Sequence, residues 1–267
     1  METSHNPAET YESYMVPVLF EPWARKLVEV VDPQPGERIL DVACGTGIVA
    51  RVAASHAGAG AQVTGLDVSP AMLEVARRHT GPDGGEIAWI EGQAETLPFP
   101  DSRFDVALCQ FALMFITDRN AALSGMHRVL DDDGRVGISV WQEIERHPFY
   151  ETLHDVIRWH LGTSGVRDIF ALGDAEALRT LVAEAGFHTI SIRSMSLTAQ
   201  FPDPEGFLAG EIAVDTASVP AMQGLTPEGR ATLVDQIRDD MAAAMASVTE
   251  GDHVVLPFHA HIVSAYR

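Results

Sequence analysis

The chain has 267 residues, 46% hydrophobic and 21% charged, enough for one folded domain with a full core and some additions. Eighteen basic residues against 38 acidic ones give a formal net charge of −20, so a phosphate backbone is repelled over most of the surface and nucleic acid is excluded as an expected partner. Two cysteines rule out a disulfide framework, and neither a signal-peptide pattern nor an apolar run of about 18 residues is visible, which makes a cytoplasmic protein without a membrane span the expectation.

Residues 1–36 read as a leader. From Glu9 to Val31, apolar residues such as Val16, Leu19, Trp23, Leu27 and Val31 recur at helical intervals, while Pro17 and Pro22 predict a break into short helical pieces. Pro33, Pro35 and Gly36 mark a turn. Over 37–141 strand and helix alternate: strands are predicted at Arg38–Val42, Gln62–Asp67, Glu86–Ile90, Phe104–Cys109 and Arg135–Trp141, helices at Ile48–Ser55, Pro70–His79 and Arg119–Leu130. Such alternation builds a parallel α/β sheet whose ligands collect at the carboxyl ends of the strands, where Asp41, Asp67 and Gln110 fall. Ser69-Pro70 reads as an N-cap with proline at the first helical position, fixing a helix start directly behind Asp67.

The first strand runs into Gly45-Thr46-Gly47 and then an amphipathic helix. Two glycines there permit a tight bend and close approach of a ligand, and the helix start offers unpaired N–H groups. Gly45-x-Gly47-x-x-Ala50, with Asp67 twenty residues beyond Gly47, also fits the dinucleotide fingerprint and its ribose-binding acid. Asp41 argues for a different ligand, because a carboxylate at the loop repels a pyrophosphate and suits a cation.

The segments LDVACGTG, GLDVSPAML, EGQAETLPFPDSRFDVALCQ and MHRVLDDDGRVGISVW resemble, in order and spacing, the motifs of class I S-adenosylmethionine-dependent methyltransferases. They are most similar to the group that includes the ubiquinone/menaquinone C-methyltransferases (methyltransferase type 11). The resemblance implies an α/β, Rossmann-like sheet of seven mostly parallel strands with an antiparallel last strand, helices on both faces and helical lid insertions. It implies S-adenosyl-L-methionine as cofactor, whose sulfonium and ammonium match Asp41. Tyr11 or Tyr14 of the leader is then expected at the methionine end, with Ala43, Gly45 and Gly47 in the loop. Asp67 is expected on the ribose hydroxyls with Val68 beside it, and Met72 against adenine. Gln93 stands where the family usually has aspartate for the adenine amino group, and the Ala94 N–H is expected on a ring nitrogen. Gln110 is expected near the methionine moiety and the acceptor.

Within one methyltransferase domain over 1–267, residues 37–141 form the cofactor-binding core, 142–173 and 203–251 are helical lid insertions, and 174–202 with 252–267 complete the core. A helix is predicted at Asp174–Ala185, a long strand at Thr189–Phe201, further helices between Pro204 and Gly251, and a last strand at His253–Tyr266. His253, His259 and His261 share one strand face but do not converge, so no metal site is expected. The lid histidines His147, His154 and His160, with Tyr14, are the pool for a general base. The expected reaction is in-line methyl transfer to a small, hydrophobic or aromatic organic acceptor, with the choice among O, N and C open. Two other readings compete, a catalytically silent cofactor-binding regulator or scaffold and an NAD-dependent oxidoreductase. The oligomeric state is open, a homodimer being compatible with the sequence.

Overall fold

The computed structural model describes residues 7–79, 87–216, 222 and 225–267. After a helical leader, Pro7–Val31, come β1 (Arg38–Val42), α1 (Ile48–Ala57), β2 (Gln62–Asp67), α2 (Pro70–His79), β3 (Ile87–Glu91), β4 (Phe104–Gln110), α3 (Arg119–Val129) and β5 (Leu130–Trp141). There follow α4 (Pro148–Leu161), α5 (Ala175–Glu184), β6 (His188–Pro202), α6 (Pro204–Thr216), α7 (Pro227–Asp240), α8 (Ala242–Val248), β7 (Thr249–Glu250) and β8 (His253–Tyr266). Glu86, the predicted start of the third strand, and part of the predicted helical stretch between Pro204 and Gly251 lie outside the described residues. Contacts divide the chain into two compact units, one comprising Met1–Val140, Ala175–Met195 and Ala260–Arg267, the other Trp141–Asp174 and Ser196–His259.

The sheet has the order β3-β2-β1-β4-β5-β8-β6, mostly parallel with antiparallel C-terminal strands, as the resemblance implies; the short β7 is an eighth strand, paired with β8. Ile39, Leu40 and Val42 are fully buried, as a central parallel strand covered on both faces requires. Its register places Asp41 opposite Gly65 of β2 on one side and Leu108 of β4 on the other. Chain order reverses between β1 and β4, and ligand crevices of open α/β sheets form at such a switch point.

Two elements depart from expectation for physical reasons. The leader is one helical path rather than separate pieces, because Tyr11–Phe20 is wound in wide turns, with the Glu21 N–H reaching the Val16 carbonyl five residues back. Wider turns give the Pro17 ring room, and Pro22 sits in the first turn of the Glu21–Val31 segment, where its missing N–H is not needed. Strand β5 begins at Leu130, five residues before the predicted Arg135, because Leu130 pairs with Phe104 and Arg135 with Val106, the register shifting between them. The acidic run in between is partly compensated by Arg38, which binds Asp131 at 2.9 Å as well as Asp105.

The second unit builds its own aromatic core. Phe201 packs on Phe207 with ring centroids 4.8 Å apart, Phe207 on Phe149 at 5.6 Å, and Phe258 on both Tyr150 (5.7 Å) and Trp141 (5.3 Å). The aromatic residues that made a hydrophobic acceptor attractive on sequence grounds are therefore largely spent on each other. Trp159 is the exception, 83% exposed.

Candidate functional site

The first unit collects its unusual backbone between β1 and α1. Ala43, Gly45 and Gly47 all have positive φ, at 55°, 55° and 85°, a conformation costly for alanine and easy for glycine. The two glycines serve different ends. A Cβ added at Gly45 would meet nothing within 4 Å, so this peptide faces open space. A Cβ at Gly47 would stand 2.2 Å from the Trp89 ring, which packs behind the loop and also forbids a side chain at Gly65. Close ligand approach, expected of both glycines, thus applies to Gly45, whereas Gly47 is fixed by packing.

Two carboxylates flank this loop. Asp41 is 1% exposed, and its Oδ2 accepts the Ala50 N–H at 3.0 Å in the first turn of α1. Burial pushes its pKa up to about 8, Asp67 adds to the rise, and the Ala50 N–H and Arg51 oppose it. The fixed negative charge expected from the sequence is therefore a largely protonated carboxyl at neutral pH, which an arriving cation would ionise. Asp67 is nearly as buried, accepting the Gly45 N–H at 2.7 Å through Oδ2 and the Ser69 N–H at 2.8 Å through Oδ1. It holds the glycine loop and the start of α2 together.

The leader supplies Tyr11 here. Its ring stacks on Phe20 at 5.1 Å, and burial, followed by the charges of Glu12, Asp67 and Asp41, keeps its phenol protonated. Tyr14 is half-buried in the same helical segment. At the end of β4, Gln110 donates its Nε2 to the Phe20 carbonyl at 3.1 Å. Its Oε1 and the Oγ of Ser139, the residue opposite it on β5, are buried without a hydrogen-bond partner among the described residues. Phe111, next in the chain, has φ 48°. Strained residues thus follow both β1 and β4, the pattern of sites whose geometry is held by their surroundings.

The remaining predicted contacts lie beyond β2 and β3, whose ends are tied by the Gly92 N–H on the Asp67 carbonyl at 3.0 Å. Val68 is 62% exposed, Gln93 is exposed, Met72 is half-buried and Ala94 is buried. The Ser69 hydroxyl accepts the Met72 N–H at 3.4 Å, as the N-cap reading predicts.

Residues 40–138 match the family model for a methyltransferase domain. The ubiquinone/menaquinone biosynthesis C-methyltransferase UbiE of Shewanella piezotolerans is 29% identical over 190 residues, covering 65% of this chain and 75% of the relative. Residues 40–138 are a methyltransferase domain, and the matches together support an S-adenosylmethionine-dependent methyltransferase. Solved structures show the same fold at low identity. YcgJ of Bacillus subtilis matches with a TM-score of 0.59 and 19% identity, over 92% of this chain and 98% of that one. A phosphoethanolamine N-methyltransferase of Haemonchus contortus, solved with S-adenosyl-L-methionine, matches with a TM-score of 0.55 and 21% identity, over 92% of this chain and 52% of that one.

In this methyltransferase the proposed base His147 belongs to the second unit and is 2% exposed. Its Nε2 accepts the His259 N–H at 3.0 Å, so Nδ1 carries the proton and faces the Glu143 carbonyl at 3.2 Å. Burial, with His259 and Arg146 adding to it, drives its pKa down to about 4. With its lone pair spent on the backbone, His147 fixes the start of α4 rather than offering a base. His154 is half-buried and leaves Nδ1 without a partner among the described residues, and His160 binds Asp240 at 2.8 Å. Both cysteines are free and buried, and burial pushes the Cys109 thiol up to about 12. Sequence reasoning missed Trp89, Ser139, Glu12 and Arg51. Only Trp89 had a signal, a small residue inside a strand, Gly65, which marks a close neighbour. Among the described residues no helix is long and apolar enough to cross a membrane.

Proposed function

We propose that the crevice between the glycine loop and the ends of β1, β2 and β4 holds S-adenosyl-L-methionine and that the chain transfers its methyl group to a small organic acceptor. The observation that carries this reading is the pair of buried acids, Asp41 and Asp67, beside a loop whose Gly45 peptide opens on free space. A dinucleotide pyrophosphate would meet those acids at its most charged point, whereas a cationic ligand ionises Asp41 favourably.

Asp67 takes the ribose hydroxyls through lone pairs that its two backbone bonds leave free. Asp41 and the Gly45 peptide orient the methionine end, with Ala43 and Gly47 shaping the loop around them and a leader tyrosine, Tyr11 or Tyr14, covering it. Val68, Met72, Gln93 and Ala94 border the adenine. Bound there, S-adenosylmethionine supplies an electrophilic methyl on a sulfonium, displaced in line as the C–S bond breaks with its electron pair left on sulfur. The chain's task is then alignment and exclusion of water, worth roughly 7–11 kcal/mol in favourable cases. With its amide nitrogen committed to Phe20, Gln110 has its Oε1 to offer a donor group on the acceptor. Likeness to a ubiquinone/menaquinone C-methyltransferase supports a hydrophobic or aromatic acceptor. An acceptor that must first lose a proton needs a base, a role His147 cannot fill with both ring nitrogens engaged by backbone groups.

Calorimetry with S-adenosylmethionine and S-adenosylhomocysteine, run beside NAD, tests the cofactor, and tight NAD binding with no response to either adenosyl compound refutes it. A screen of quinols, phenols and amines with methyl-labelled cofactor then identifies the product. Binding without transfer to any acceptor class would favour a silent cofactor-binding protein.

A further inference from the structure

The largely buried side chain of Arg51, on α1, touches two parts of the first unit at once. Its Nη1 donates to the Thr46 carbonyl inside the glycine loop at 2.6 Å, and its Nη2 donates to Glu12 Oε1 of the leader at 2.7 Å. A planar guanidinium can hold both directions at once, which an ammonium on a flexible stem cannot. Glu12 is the turn next to Tyr11, the leader tyrosine that feels both crevice acids.

This part of the leader lies beside α1. Between them runs a groove of about 650 Å³, lined by Glu12, Ser13, Val16 and Pro17 on one side and Ile48, Arg51, Val52 and Ser55 on the other. The far end of the wide-turn segment is held differently, by Gln110 on the Phe20 carbonyl and by Trp23, fully buried and edge-on to Phe111. The closed arrangement also carries a cost: Glu12 Oε2 is buried without a partner among the described residues, and the half-exposed His79 ring stands 3.6 Å from Oε1. One end is anchored in the core, and the other is held by ion pairs, Glu12 to Arg51 of α1 and Glu9 to Arg78 of α2, of which only the first also reaches the glycine loop.

We infer that Arg51 and Glu12 form a latch that holds the Tyr11 end of the leader down on the glycine loop, and that opening this latch gates entry and exit of the cofactor. Arg51 is on this account a positioning residue. The inference rests on the cofactor reading above and adds the residue pair that controls exchange at that site. A latch slows passage in both directions, whereas a residue that merely shapes the pocket slows exit alone.

The test is rapid-mixing measurement of association and dissociation of S-adenosylhomocysteine for the wild-type chain, Glu12→Gln, Arg51→Ala and the double variant. Glu12→Gln preserves shape and keeps the question answerable should Arg51→Ala fold poorly. Each single variant is expected to raise both rate constants, dissociation by about tenfold and association several-fold, with the double variant no faster than Arg51→Ala because one contact is being removed twice. Unchanged rate constants, faster dissociation alone, or effects that multiply in the double variant would each overturn the latch. Failure of the wild-type chain to bind S-adenosylhomocysteine would instead overturn the cofactor reading.

Discussion

Replacing Asp41 with asparagine should make the free protein more stable and the cofactor site weaker. In the fold the carboxyl titrates at about 8 instead of 3.8. Being a raised acid, it holds its proton more tightly when folded, so its contribution is intact below about pH 4 and is lost as pH rises towards 8. Four units at about 1.4 kcal/mol each set an upper limit of roughly 6 kcal/mol on that loss. An asparagine Oδ1 can still accept the Ala50 N–H, so Asp41→Asn removes the titration and keeps the bond. Urea unfolding at pH 5 and pH 9 is expected to show the wild-type chain losing several kcal/mol more than the variant over that interval. For ligand binding the sign reverses. With a pKa near 8, about one molecule in ten is ionised at pH 7 and about nine in ten at pH 9, so wild-type affinity for S-adenosylhomocysteine should rise about tenfold relative to the variant between these pH values. Measuring both proteins with the same ligand cancels titration of the ligand's own amine. Parallel stability profiles, or an affinity ratio independent of pH, would refute a buried, proton-holding Asp41.

Asp67→Ala frees the Gly45 and Ser69 N–H groups as well as the ribose contact, and calorimetry should record cofactor affinity lower by about 1.5–3 kcal/mol. Gly47→Ala sets a methyl group against the Trp89 ring in a backbone conformation alanine resists; thermal unfolding should show a loss of about 2–4 kcal/mol even without ligand. His147→Ala removes two buried backbone contacts and should cost about 2–4 kcal/mol in urea. Because His147 titrates at about 4 rather than 6.5, its stabilisation is present above pH 6.5 and lost as pH falls towards 4, and the variant's stability should lack that acid-side decline.

Most of the α/β core could be read from the chain because local signals and tertiary demands agree there. Arg38–Val42, Gln62–Asp67, Pro70–His79 and His253–Tyr266 have the bounds that periodicity and capping residues predict. The misreadings arose where a tertiary contact overrode a local rule. Proline within the leader argued for a break, but a wider helical turn accommodates it. The Asp131–Gly134 run looked like a loop, yet a register shift and Arg38 carry it within β5.

The site divides along the same physical line. Glycines and strand-end acids are legible because their chemistry is encoded at fixed offsets from a strand, so Asp41, Gly45 and Asp67 could be named before any geometry was known. Whether such a residue is charged is set by surroundings drawn from distant parts of the chain. Asp41 depends on burial by neighbouring strands, His147 on a backbone N–H 112 residues away, and Arg51 on a leader carboxylate 39 residues upstream. Sequence proximity carries no information about these pairings, and each reverses or extends the role its residue type suggests. An acid at a cation site starts out protonated, a histidine near a helix start gives up its basicity, and an arginine of α1 ties the leader to the glycine loop. A motif therefore specifies which atoms can meet a ligand, and the long-range packing specifies in what protonation state, and behind what cover, they do so.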